Sequence, residues 1–187
     1  DACHVLAGGT DLLVQMRGGI KQPECIVDIK SLPGITEATL DAGGLTIGAA
    51  APAQSITERA DIEAIHPGLV EAIDLIGSTQ VQGRCSVGGN LCNSSPAADT
   101  VPALIANSTL CNIAGPDGER QVAVELFNTG PGQNCLGKGE ILTSLFLPAP
   151  APGTADAYLR FIPRTEMDIA VVGAGVSVTL DASGTCT

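Results

Sequence analysis

The chain is poor in aromatics. It has no Trp, one Tyr and three Phe among 187 residues. Single-stranded nucleic acid is held by stacking bases on rings, so that class of binding surface is missing. Cations are scarce too, with 9 Lys+Arg against 20 Asp+Glu and a net charge of −11. Nucleic-acid binding draws on clustered Lys and Arg that displace counterions, and this balance excludes it. No apolar run approaches the roughly 20 residues needed to cross a bilayer as a helix. Only two histidines occur, His4 and His66, and there is no C-x-x-C. The usual zinc and iron–sulfur ligand spacings are therefore absent, and no metal site is assigned. No nucleophile–base pair is evident either, so no catalytic residue is assigned.

Apolar residues make up 44% of the chain, normal for a globular core, and that core must be built from Ala, Val, Ile and Leu. The seven cysteines, Cys3, Cys25, Cys85, Cys92, Cys111, Cys135 and Cys186, are odd in number and irregular in spacing. They read as buried, reduced thiols of a cytoplasmic protein rather than a disulfide framework. The chain opens at Asp1 without Met and is read as a piece of a longer protein.

The pattern along the chain predicts mixed structure. Strands are expected at Cys3–Ala7, Cys25–Ile29, Leu110–Ile113, Arg120–Val124, Glu140–Leu147, Tyr158–Ile162 and Ile169–Leu180. A hairpin is expected around Asp41-Ala42-Gly43-Gly44. Helical spacing marks Asp11–Arg17, Pro52–Ala60, Pro67–Ile76 and Thr100–Ala106, the last capped by Asp99 or Thr100. Gly77 ends the third of these, where positive φ is common. Pro148–Gly153 (PAPAPG) is the clearest linker. Gly173 and Gly175, in the last strand, are explained by a bulge or close packing. His66, just before Pro67, is expected to be exposed. Arg164, Glu166 and Asp168 form a charged cluster that serves either as a cofactor or partner contact or as a solvent-facing set of ion pairs.

Two Gly-rich segments stand out. One is Leu6-Ala7-Gly8-Gly9-Thr10-Asp11. The other is Ser86-Val87-Gly88-Gly89-Asn90, read as a turn and followed by Ser94-Ser95-Pro96-Ala97-Ala98-Asp99. Gly pairs between a strand and a helix let backbone N–H groups approach an anion without hindrance from Cβ. Successive amides and a helix N-terminus then attract a pyrophosphate without needing Lys or Arg. Thr10 and Ser86 add hydroxyl donors. Each pair alone also reads as a plain turn, and neither matches G-x-G-x-x-G, so a Rossmann fold is not supported.

Taken in order, LAGGTDLLVQMR (Leu6–Arg17), VDI (Val27–Ile29), LPGI (Leu32–Ile35), LTIGAA (Leu45–Ala50), GSTQV (Gly77–Val81), SVGGNLCNSSPAADTVPALIA (Ser86–Ala106), GEIL (Gly139–Leu142) and DIAVVGAGV (Asp168–Val176) carry a resemblance. The chain resembles the FAD-binding medium subunit, or FAD domain, of the molybdenum hydroxylases, a group that includes xanthine dehydrogenases and aerobic carbon monoxide dehydrogenases. The resemblance covers essentially the whole chain.

It implies an α+β, two-subdomain FAD-binding fold: a small α/β subdomain plus a mixed or antiparallel sheet subdomain. The implied boundaries are 1–147 for the FAD-binding domain, with its N-terminus missing, 148–153 for a linker, and 154–187 for the start of a C-terminal α+β domain. The resemblance further implies that Val5, Leu6, Ala7, Gly8, Gly9, Thr10, Asp11 and Leu12 wrap the FAD pyrophosphate. Ser86, Val87, Gly88, Gly89 and Asn90 would meet the phosphates and ribityl chain. Asp99 and Arg160 would touch the cofactor, Ile76 would lie near the flavin, and Leu142 near the adenine end. Ile76 stands where vertebrate-type relatives have a ring, and the iron–sulfur insertion of the hydroxybenzoyl-CoA reductase branch is missing.

The implied function is electron transfer. A molybdenum-cofactor large subunit oxidises the substrate, 2Fe–2S clusters on a small subunit relay electrons, and FAD here passes them to NAD+, a quinone or oxygen. The alternative is an FAD-free scaffold of the same fold, and the intact Gly8, Gly9, Gly88, Gly89 and Asp99 weigh against it.

Overall fold

A computed structural model describes residues 3–164 and 167–187. The chain begins with β1 (Cys3–Leu6), α1 (Leu12–Arg17) and β2 (Cys25–Asp28). The two strands pair in parallel, with Cys3 opposite Cys25 and Leu6 opposite Asp28. Parallel neighbours need a crossover connection, and the glycine loop plus α1 supplies it. This unit is the small α/β subdomain.

β3 (Ala38–Asp41), β4 (Gly44–Gly48), β5 (Leu110–Gly115), β6 (Gly118–Ala123) and β9 (Ile141–Pro148) form an antiparallel five-stranded sheet in the order β3-β4-β9-β5-β6. β7 (Asn128–Gly130) and β8 (Gln133–Asn134) make a small hairpin beside it. Between β4 and β5 run six short helices: α2 (Gln54–Thr57), α3 (Ala60–Glu63), α4 (Pro67–Asp74), α5 (Thr79–Gln82), α6 (Val87–Asn93) and α7 (Thr100–Ala106). The core lies between sheet and helices. Leu45, Ile47, Cys111, Ile113, Leu145 and Leu147 from the sheet meet Ile56, Leu69, Ile73, Leu91 and Leu104 from the helices, all fully or almost fully buried. Aliphatic side chains thus carry nearly all of it, as the scarcity of aromatics requires.

β9 takes in Pro148, the first residue of the expected linker, and beyond it β10 (Thr154–Phe161) and β11 (Val172–Thr179) form a separate antiparallel hairpin. Its inner face docks on α4 and α7. Glycine allows the close approach: a Cβ on Gly68 would sit 2.7 Å from the Ala157 backbone, and one on Gly175 would sit 2.4 Å from the Pro102 carbonyl. Close packing, not a bulge, therefore accounts for Gly175. Tyr158 is the buried aromatic of this contact, between Ala72 and Ala103. Its backbone N–H donates to Glu71 at 2.8 Å.

Several expectations need correction. The helix expected over Pro52–Ala60 is two short ones, α2 and the start of α3, broken at Arg59, whose backbone is extended. Ser86–Asn90 is not a turn but the cap and first turn of α6. Ser86 is extended, and its hydroxyl accepts from the Gly89 amide at 3.0 Å. Glycine is needed there for packing, since a Cβ on Gly88 would lie 2.5 Å from the Ala49 carbonyl.

His66 is fully buried rather than exposed. Its Nδ1 lies 3.0 Å from Asn107 Oδ1, and the Asn107 amide donates onward to Asp156 at 2.7 Å. The Asn107 amide is thus turned so that its oxygen accepts from His66, tying α4 to α7 and to the hairpin. Cys3, Cys25 and Cys186 are exposed, so the thiols are not uniformly buried. In the charged cluster, Arg164 and Asp168 form an exposed ion pair at 2.8 Å, while Glu166 lies outside the described residues.

Candidate functional site

Both Gly-rich segments open onto one cleft of about 350 Å³. β1 delivers the first. Its residues alternate, with His4 and Leu6 turned inward and Cys3 and Val5 outward, and the chain then bends at Gly9, where φ is +81°. Lys30 Nζ, just past β2, donates to the Ala7 carbonyl at 2.9 Å and braces the bend. Gly8 sits against the second segment so closely that a Cβ would lie 1.8 Å from the Arg84 carbonyl oxygen. That approach is what brings the two segments to one site. Gln15 of α1 also donates to Asn93 of α6 at 3.2 Å.

The amides of Gly9, Thr10, Asp11 and Leu12 donate to no acceptor among the described residues, and the same holds for Gly88. These are the donors an anion would require. Cations in the lining are few: Lys21 and, when protonated, His4. Burial and the Lys21 ammonium hold His4 below its ordinary pKa. The rest of the wall is mixed: Ile29, Ala49, Ile76, Ile141 and Leu142 are apolar, while Asp11, Gln15, Asn90, Asn93, Asn134 and Glu140 are polar. Cys85 also lines it, its thiol pushed up to about 11, first by burial and then by Asp11.

The turn before β9 completes one side. Arg120 grips Glu140 with Nε and Nη2, both at 2.7 Å, and Nη2 also donates to the Cys135 carbonyl at 3.0 Å. The Gly137 amide donates to Glu140 at 2.6 Å. The Arg120 guanidinium therefore holds the Glu140 carboxyl down at about 2. This fork sets the position of Leu136, Glu140, Ile141 and Leu142 along the cleft.

Of the residues expected from sequence, Val5, Ala7, Gly8, Gly9, Thr10, Asp11, Leu12, Ile76, Ser86, Gly88, Gly89, Asn90 and Leu142 all line this cleft. Four do not. Leu6 packs behind the loop, where a Cβ on Gly9 would meet its side chain at 2.8 Å. Val87 is fully buried in the core. Asp99 and Arg160 bind each other, Arg160 Nη1 to Asp99 Oδ2 at 3.1 Å, in a buried pair under the hairpin. Asp99 also accepts from the Tyr158 hydroxyl at 2.9 Å, and Arg160 donates to the Leu75 carbonyl at 3.2 Å. Burial and then Asp99 push the Tyr158 pKa up.

The wall also includes His4, which directly precedes the first segment, together with residues that sequence reasoning missed: Gln15, Lys21, Asn93, Asn134 and Glu140. For His4 its place beside the first Gly-rich segment was the usable signal. Asn134, in β8, and Glu140, in the turn before β9, arrive from segments far along the chain, and no local spacing ties them to the first loop.

A cleft of mixed polar and apolar wall, with consecutive unpaired amides from Gly9 to Leu12 and a further one at Gly88, is suited to a pyrophosphate joined to partly apolar groups. The comparisons agree. The family described as FAD binding domain in molybdopterin dehydrogenase matches residues 1–150, and the chain belongs to it. It is 34% identical over 180 residues to the xanthine dehydrogenase FAD-binding subunit of Escherichia coli O157:H7, covering 95% of this chain and 61% of that protein. It is 30% identical over 186 residues to the nicotinate dehydrogenase FAD-subunit of Eubacterium barkeri, covering 98% of this chain and 63% of the relative. Among solved structures, carbon monoxide dehydrogenase from Hydrogenophaga pseudoflava superposes with a TM-score of 0.93 at 29% identity, over 100% of this chain and 64% of that one. The chain thus spans a little over three-fifths of the length of these relatives. The fold is the mixed α/β architecture of their FAD-binding domain, with FAD as the family's cofactor. Among the described residues no helix is long and apolar enough to cross a membrane, and no group of His, Cys, Asp and Glu could hold a metal ion.

Proposed function

We propose that this chain is the FAD-binding part of an electron-transfer subunit in a molybdenum hydroxylase complex. The observation that carries this is the convergence of unpaired amides from Gly9–Leu12 and from Gly88 of α6 on one cleft. The residues present fit the cofactor. Gly9, Thr10, Asp11 and Leu12 would hold the pyrophosphate by backbone N–H groups, with the Thr10 hydroxyl and the first turn of α6 completing the cradle. Ile76 and Leu142 would exclude water from the ring systems. Lys21 would balance phosphate charge at the wall, and His4, held below its ordinary pKa, would offer a neutral ring N–H there. When bound, FAD supplies the one- and two-electron chemistry, and the protein contributes binding, orientation and electrostatic tuning.

No side chain of the cleft is asked to act as general acid or base. The thiols Cys85 and Cys92 stay protonated near neutral pH, at about 11 and about 12, both held there mainly by burial. Arg160 and Asp99 act from behind, locking α7 and the end of α4 to the hairpin; contact with the cofactor would require that pair to open. A large subunit carrying the molybdenum cofactor and a small subunit carrying 2Fe–2S clusters are the proposed electron source. NAD+, a quinone or oxygen is the proposed acceptor, and the complex is placed in the cytoplasm. Residues 154–187 are read as the opening of a second domain.

The test is purification of the full-length subunit, denaturation, and absorbance of the released flavin near 450 nm. About one FAD per chain is expected. Protein side chains do not absorb near 450 nm, so the flavin band is read without a protein background. A colourless protein that takes up no FAD on reconstitution would refute the reading.

A further inference from the structure

Cys3 and Cys25 stand directly opposite each other on the parallel strands β1 and β2, and both are exposed and unbridged. Adjacent strands run about 4.8 Å apart, inside the roughly 4.4–6.8 Å between Cα atoms that a disulfide spans. At registered positions the two side chains leave the same face, opposite to the inward-facing His4 and Leu6. The thiols already sense each other: the interaction with the Cys25 side chain is the main reason the Cys3 pKa is raised. Residues 4–24, between them, include the whole Gly8–Gly9 bend and α1, one wall of the cleft. Nothing in the proposed electron transfer uses either thiol.

We propose that Cys3 and Cys25 form a reversible dithiol–disulfide pair which, when oxidised, closes the segment carrying Gly8, Gly9 and α1 into a covalent loop. The oxidant is a low-molecular-weight disulfide of the glutathione class. One cysteine, as thiolate, attacks a sulfur of that disulfide, forms a mixed disulfide and expels one small thiolate. The second cysteine, as thiolate, attacks the mixed disulfide, forms the Cys3–Cys25 bond and expels the other. The protein loses two protons and two electrons, and the small disulfide becomes two thiols. Parallel strands aim their Cβ atoms side by side, about 1 Å further apart than the roughly 3.8 Å of a relaxed disulfide. Closure therefore draws β1 toward β2 and leaves a bond that thiols reopen readily, as a reversible site requires. The effect on the cleft is direct, because β1 runs straight into the bend and Lys30, beyond β2, braces Ala7.

The experiment uses the full-length protein, equilibrated in glutathione buffers from fully reduced to fully oxidised, acid-quenched, alkylated and cut with trypsin. A linked species joining the peptide of residues 22–30 to the peptide that ends at Arg17 should rise with oxidation and vanish with dithiothreitol. Oxidised protein should melt a few degrees higher than reduced protein, less than an unstrained loop of this length would give. In Cys3→Ser and Cys25→Ser both the linked peptide and the redox-dependent melting shift should disappear, each variant instead carrying one glutathione on the remaining thiol. Cys3→Ala and Cys25→Ala repeat the peptide reading should either serine destabilise the strands. Independent alkylation of both thiols in the most oxidising buffer, or a linked peptide pairing either with Cys186, would overturn the proposal. The readout is a peptide mass and does not depend on flavin, so failure here is distinguishable from failure of the FAD reading.

Discussion

Gly8→Ala is the sharpest perturbation of the cleft. The added methyl would lie 1.8 Å from the Arg84 carbonyl oxygen, 2.6 Å from its carbon and 2.9 Å from Cys85 Cα. All three are backbone atoms, so no side chain can swing aside. Relief to ordinary contact needs a retreat of about 1.5 Å by one of the two segments. Overpacking of this kind costs about 1–3 kcal/mol. In a chain of this length that is a fall of about 3–10 °C in Tm. The effect on ligand binding is larger. A shift of about 1.5 Å takes amides at Gly9–Leu12 beyond hydrogen-bonding reach of a pyrophosphate seated on α6. Hydrogen bonds to charged groups contribute about 1.5–3 kcal/mol each, so losing two weakens FAD by a factor of roughly 10²–10⁴. The assay is the flavin-to-protein ratio after gel filtration, with thermal melting alongside. Gly18→Ala is the internal control. Its Cβ would meet nothing nearer than the Val14 carbonyl at 3.4 Å, and its φ is −77°, so flavin content and Tm should stay at wild-type values. If Gly8→Ala retains one flavin per chain and wild-type Tm, then close approach of the two glycine segments does not build the site.

Other outcomes follow from the same geometry. Asp99→Asn should destabilise by about 3–5 kcal/mol in chemical unfolding, because it leaves the buried Arg160 guanidinium without its countercharge. Glu140 should titrate at about 2 by NMR and return toward the ordinary carboxylate range in Arg120→Gln. Its folded pKa is depressed, so the fork's contribution is complete above the unfolded value near 4.3 and is lost as pH falls through about 2. Iodoacetamide at pH 8 should label Cys3, Cys25 and Cys186 in the reduced native protein. It should spare Cys111, which is buried and held at about 12, until denaturant is added.

Local order was legible because it is encoded locally. β1, β2, β9 and α7 follow from apolar period and breakers, whereas α4 already ends at Asp74 and Gly77, at a φ of +59° that favours glycine, turns the chain after it. The two glycine segments were identifiable as a pair, and most residues named from them line one cleft. The misassignments share a cause. Ser86–Asn90 reads as a turn because glycines weaken helices, yet a capping hydroxyl and packing on Ala49 outweigh that propensity. His66 reads as exposed because it precedes a helix-starting proline, yet Asn107, 41 positions on, covers it and accepts a hydrogen bond from its ring.

What the sequence determined by itself is the chemistry available. An acidic chain with few cations must bind a phosphate through backbone amides, and one nearly without rings must pack its core with aliphatic side chains. What only the tertiary structure decided is where those groups meet. Gly8 against Arg84, Glu140 across from α1, Asp99 on Arg160 rather than in the cleft, and Cys3 beside Cys25 are all contacts between distant segments. Their energies depend on separation and burial in the folded chain, and no spacing along the sequence records them.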